Sequence, residues 1–158
     1  GNVPPAQDNL AFIKQCQQSL PEGCTLNALR IDAAGYQIKI IQYCDDEGIE
    51  YAIRAKTSAT MRAQIDAAGD SEWHPLLDKQ GKPVNGQDTY RTSFCIGNYE
   101  KAFTLVIQRT AIKGQVSLDL DSQESSEAIS QGGYVYRAIA TNRDELSDSQ
   151  IVHWYKVN

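Results

Sequence analysis

No stretch of this sequence approaches the roughly 18 to 20 consecutive apolar residues that a helix needs to cross a bilayer. The opening residues GNVPPAQDN also lack a charged region followed by an apolar block. The chain therefore reads as a soluble, cytoplasmic protein with no membrane partner. Cysteine is scarce and unpatterned: Cys16, Cys24, Cys44 and Cys95 form no Cys-x-x-Cys pair, which speaks against a zinc site or a disulfide framework. The two histidines, His74 and His153, lie far apart in sequence and suggest no nucleophile and base pair for acyl chemistry. Positive charge is not in excess either. A formal net charge of −5 lacks the basic footprint of an autonomous nucleic-acid binder, although a nuclease, whose metal site is itself acidic, stays open. No internal repeat is visible.

What is present is an ordinary globular composition. At 158 residues, 41% hydrophobic and 22% charged, the chain fits one domain able to bury its own core. Its negative charge gathers at 45–47, 66–72 and 119–127, and these clusters read as solvated loops.

The most informative segment is 26–56, LNALRIDAAGYQIKIIQYCDDEGIEYAIRAK. A short apolar run at 26–33, set between the breakers Pro21, Gly23 and Gly35, predicts a strand. From Tyr36 the period changes: Tyr36, Ile40 and Cys44 fall four apart with Ile41 beside them, one helical stripe. Gly48 closes that helix as a left-handed cap. Beyond it Ile49, Tyr51, Ile53 and Ala55 alternate with Glu50, Ala52, Arg54 and Lys56, the period of a strand. With a helix between them the two strands are expected to be parallel and the crossover right-handed. Asp32 then falls where the first strand stops, at the end of an α/β sheet where ligands and metals gather. The competing role for Asp32 is a cap on the helix that follows.

Around this unit the pattern is simpler. Leu10, Ile13, Cys16 and Leu20 predict an amino-terminal helix, with Asp8 its cap and Pro21 its end. Ser58 caps a helix through Ala68 that buries Met61 and Ile65, with Gly69 terminating it. Alternation over 90–96 and 103–107, with a turn near Gly97 and Asn98, predicts a hairpin. Residues 119–133 are polar and read as a connector. A strand over 134–141 follows, and Ser147 with Gln150 forms a capping box for a last helix containing Ile151, Val152 and Tyr155.

The runs LRIDAAGY at 29–36, GI at 48–49 and AIRAK at 52–56 are followed by FTLVIQR at 103–109, YRAIATN at 136–142 and WY at 154–155. In order and spacing, over most of the chain, they resemble the middle of the catalytic domain of DDE transposases from bacterial insertion sequences, of the insertion-sequence family four type. The resemblance implies an α/β, ribonuclease H-like mixed sheet, a five-stranded platform with flanking helices and a β-rich insertion, here incomplete. On this division 1–70 holds the amino-terminal helix and the βαβ-helix core, 71–133 the insertion and polar loop, and 134–158 the final strand and helix. It further implies that Asp32 is the second acid of a catalytic triad and a ligand of Mg²⁺ or Mn²⁺, since phosphodiester transfer by two hard cations needs several carboxylates. The first acid is then expected upstream of Gly1 and the third shortly after Asn158. Where the family often shows Asn and then Arg after Trp-Tyr, this chain has Lys156.

The chain accordingly reads as a transposase fragment, inactive alone and holding no metal tightly, with transposon-end DNA and a second protomer as partners of the whole enzyme. Arg54 and Lys56 on the outward face of the second strand, and Asn142 just after a later one, are candidate DNA contacts. Their ordinary roles are a solvated strand face and a turn. Trp154 and Tyr155 read as helix-packing residues. Two other readings stay open: a non-catalytic binding module, and a receiver-like domain phosphorylated on Asp32, for which the acidic pair Asp45 and Asp46 is misplaced.

Overall fold

The computed structural model describes residues 5–113 and 123–156. In chain order these form α1 (Pro5–Gln18), β1 (Ala28–Ile31), α2 (Ile38–Glu47), β2 (Glu50–Arg54), α3 (Ala59–Ala67), β3 (His74–Leu77), β4 (Pro83–Phe94), β5 (Phe103–Ala111), β6 (Gln123–Glu124), β7 (Ile129–Gln131), β8 (Tyr134–Thr141) and α4 (Asp148–Lys156). Short 3₁₀ turns occupy Ala33–Gly35 and Asp70–Glu72. The architecture is mixed α/β.

All eight strands join one sheet, with main order β1-β2-β8-β5-β4-β3. β1 and β2 are parallel, Ala28 opposite Glu50 and Ile31 opposite Ile53, as a crossover through α2 requires. Every other pairing is antiparallel. β8 is the hub. One of its edges pairs with β5 from Tyr134 to Thr141; the other is shared by β2, at residues 139–141, and β7, at residues 134–136. The sheet is thus larger than a five-stranded platform, because the β4–β5 hairpin and the small β6–β7 hairpin extend the same sheet through β8.

Helices cover both faces. On one, Ile13 of α1, Ile40 and Ile41 of α2 and Met61 of α3 share a core with Tyr51, Ile53, Leu105 and Ile107. On the other, Ile151 and Val152 of α4 pack on Ala52, Val106 and Ile139. Burying each such side chain is worth roughly 1.5–3 kcal/mol, so the two layers fix α4 and α2 to opposite sides of β2. Tyr51, Ala52 and Ile53 are all fully buried, and the expected alternation in β2 gives way to a strand apolar on both faces.

Local chemistry explains most boundaries. Gly48 ends α2 at φ 68, its amide donating to the Cys44 carbonyl, and the Ser58 hydroxyl accepts from Met61 N at 3.1 Å to begin α3. Ser147 and Gln150 satisfy each other's amides at 2.9 and 3.2 Å. Other expectations are corrected. α1 begins at Pro5, which leaves Asp8 inside the helix and not at its cap. β1 is confined to four residues, and Tyr36 precedes α2 because extended Gln37 occupies the cap position. Gly69 has φ −77 and opens the next turn, where the Glu72 carboxylate accepts its amide at 2.8 Å. Of the polar connector, residues 119–122 lie outside the described residues. Residues 129–131 are strand β7, anchored by the fully buried Ile129. Asp45 is not a solvated charge: it accepts from the Tyr99 hydroxyl at 2.8 Å and faces Lys101 at 3.9 Å. All four cysteines are free, with Cys44 alone buried. Among the described residues no helix is long and apolar enough to cross a membrane.

Candidate functional site

Asp32 stands at the carboxyl end of β1, extended at φ −70 and ψ −175, with Oδ1 accepting from Ala34 N at 3.1 Å. The cap that sequence reasoning set against a ligand role is made on the 3₁₀ turn Ala33–Gly35 and not on α2, whose cap position is Gln37, and the Asp32 side chain remains exposed. Both sides of the sheet pin the turn around it. From α1, Asn9 Nδ2 donates to the Ala34 carbonyl at 3.0 Å, and Gln37 Nε2 donates to the same oxygen at 2.7 Å. From α4, the Tyr155 hydroxyl donates to the Ile31 carbonyl at 3.2 Å, and Arg30 Nη1 reaches the Trp154 carbonyl at 3.2 Å. Gly35 lies so close beneath the strand that a Cβ there would sit 2.4 Å from Ile31 Cγ2. Asp32 also lines a groove of about 550 Å³ between α1 and β1, together with Phe12, Ile13, Leu26 and Leu29.

The remaining candidates take different places. Arg54, at the end of β2, lays its guanidinium over the Tyr155 ring, 4.9 Å from the centroid, and its Nη1 is buried without a hydrogen-bond partner among the described residues. Burial raises the pKa of the Tyr155 phenol; Arg54 opposes that rise, and Asp32 and Glu127 add to it. The phenol thus lies within electrostatic reach of both Asp32 and Arg54. Lys56 is exposed beyond the end of β2. Asn142 uses its amide within the fold: Oδ1 accepts from Tyr51 N and Nδ2 donates to the Ile49 carbonyl, both at 2.9 Å.

Sequence reasoning missed Arg137 and Lys156, which join Arg54 around a hollow of about 300 Å³ on the α4 face. The phase of β8 puts Arg137 on one face with Val135 and Ile139. Its nearness to Arg54, however, depends on a pairing between strands some eighty residues apart in the chain.

No three His, Cys, Asp or Glu side chains converge among the described residues. Mg²⁺ asks for about six oxygen ligands in an octahedron, so Asp32 and its surroundings do not by themselves make a divalent-metal site. What the arrangement can do is present one carboxylate on a braced turn, with the Tyr155 phenol in electrostatic reach of both it and Arg54. Fold and site together define a mixed α/β protein with a strand-end acid in the one parallel unit among its described strands. No family model matches the chain, and no curated protein is significantly similar to it.

Proposed function

We propose that the chain is the central part of the catalytic domain of a DDE-class DNA transposase, which cuts and joins phosphodiester bonds, and that Asp32 is one of its catalytic acids. The observation that carries the reading is the seat of Asp32 at the carboxyl end of β1, in the only parallel pair among the described strands, in a turn held by α1 and by α4. Ligands of open α/β sheets collect at that end, and a catalytic side chain gains from a backbone that cannot drift. On this reading β3 to β7 are the β-rich insertion of a ribonuclease H-like domain, and α4 is its last helix. The eight-stranded order is wider than that fold's five-stranded platform, so the support comes from the β1-α2-β2 unit and the ordered sequence runs.

Transposase chemistry uses divalent ions held by several carboxylates. The described residues supply one, and on this reading the others belong to sequence flanking the segment. In the protein that carries the segment with its flanks, Asp32→Asn is expected to lower Mn²⁺-dependent joining of transposon-end DNA by roughly a hundredfold or more, several kcal/mol of lost transition-state stabilisation. The thermal midpoint should change little. Undiminished joining by a folded Asp32→Asn protein overturns the assignment.

A second reading, a non-catalytic binding module, has one observation in its favour: the cap to Ala34 N explains Asp32 without chemistry. The receiver alternative gains no support. Asp45 and Asp46 sit near the end of α2, at the opposite end of the strands from Asp32, and Asp45 is engaged by Tyr99 and Lys101.

A further inference from the structure

We propose that the hollow where β2, β8 and β5 run beyond the end of α4 is a phosphate-binding site, and that its ligand is a backbone phosphate of DNA. The choice of DNA rests on the transposase reading; the preference for phosphate rests on the hollow itself.

The α4 face of the sheet changes character in one step. Under the helix the facing residues are Ala52, Ile139 and Val106, all buried with Ile151 and Val152. Two residues further along each strand the same face carries Arg54, Arg137 and Gln108. The register sets Arg137 directly opposite Gln108 and puts Arg54, opposite Ile139, one diagonal step from Arg137. Lys156, the last residue of α4, comes down over this row, and Gln87 and Thr110 close the far side.

Three cations thus share one concave space of about 300 Å³, and no described Asp or Glu lines it. Glu127 and Asp32 act on the neighbouring Tyr155 phenol without entering the lining. Lys156 keeps an exposed side chain, yet its pKa is lowered, first by partial desolvation and then by Arg54 and Arg137. Arg54 Nη1 is also buried with no hydrogen-bond partner among the described residues, and a buried unpaired donor is expensive. Both penalties are relieved by one anion with several acceptor oxygens. A phosphodiester fits that description: it accepts the fork of an arginine and the amide of a glutamine while neutralising the cluster. The rest of the chain is net negative, which disfavours a competing DNA surface.

The test is fluorescence anisotropy of a short labelled DNA duplex titrated with the chain at low salt, beside the double variant Arg137→Gln/Lys156→Gln. Both residues are exposed, so the fold is expected to survive, and an unchanged thermal midpoint verifies it. The expected result is binding by the parent chain, weakened roughly tenfold in the double variant, with the slope of log affinity on log salt reduced by about one. Lys79→Gln/Lys82→Gln, which removes equal charge outside the hollow, should bind nearly as the parent does. Backbone amide shifts at Arg54, Gln108 and Arg137 should respond to the duplex and to inorganic phosphate alike. Absence of duplex binding, equal loss in both double variants, or shifts produced by inorganic phosphate alone would each overturn the proposal. The titration is made without divalent metal, so it reports on the hollow and not on phosphodiester chemistry. A failure here is therefore read separately from a failure of the catalytic assignment.

Discussion

At Tyr51 a single atom works against the fold. The ring is fully buried between α2 and the sheet, yet the hydroxyl meets no hydrogen-bond partner among the described residues. Burial pushes the phenol well above its ordinary range. An unpaired buried hydroxyl costs about 1–3 kcal/mol, so Tyr51→Phe is expected to hold stability or raise it by up to about 1 kcal/mol. Urea unfolding checks this: the midpoint should rise at an unchanged slope, and a clear fall in midpoint contradicts it. Asn142 is the reverse case, with each half of its amide engaged by the backbone entering β2. Nothing local in ATNRD announces this, because both partners lie about ninety residues earlier and no spacing rule reaches that far. Asp32 was legible as a strand-end acid because its neighbours in sequence make its surroundings: the run before it and Gly35 after it fix the turn. Arg137 was not, because its meaning comes from Arg54 on a strand the sequence does not name as its neighbour.

Start signals that are side-chain hydrogen bonds were read well at Ser58 and Ser147 and not at Asp8. Ser58 was expected to cap α3 and does so through Met61 N. Ser58→Ala is accordingly expected to cost about 1 kcal/mol, with Ser58→Asp or Ser58→Asn recovering most of it; thermal midpoints of the three variants decide this. The Ser147–Gln150 box and the left-handed Gly48 were legible for the same reason, a hydrogen bond or a dihedral that few residues satisfy, and the β4–β5 hairpin from its two-residue alternation. β6 and β7 were missed because their composition is polar and their strand character is imposed from outside. β8 offers a free edge at residues 134–136, and Ile129, isolated in its own sequence, fills the core beneath it. Gly69 misled for a related reason. Glycine after a helix suggests a left-handed terminus, but here the Glu72 carboxylate draws the chain into a new turn.

For the molecule as a whole, the parallel unit was predictable and the sheet it joins was not. Local periodicity gives strands, whereas the order β1-β2-β8-β5 is decided by which apolar faces can be covered at once, α2 on one side of β2 and α4 on the other. The same core sets the response to alkali. Burial pushes Tyr36 and Cys44 up to about 12, and Tyr99 reaches about 12 through burial and its bond to Asp45. In the unfolded chain these groups lose their protons near pH 8.5 to 10, while the folded protein holds them to about 12. Above roughly pH 9 the unfolded state therefore binds fewer protons, and stability must fall with rising pH. The urea midpoint is expected to stay level from pH 7 to about pH 8 and to decline steadily between about pH 9 and 12. A flat profile through that window would contradict the burial of these groups.

Tyr155 gives this plan a mechanical consequence. One ring touches three parts of the molecule: its hydroxyl grips the carbonyl just before Asp32, its face supports Arg54, and its backbone belongs to the final turn of α4. Asp32 and Arg54 follow paired residues at the same end of the parallel strands, so this one side chain props both candidates, and its loss would remove a support from each at once.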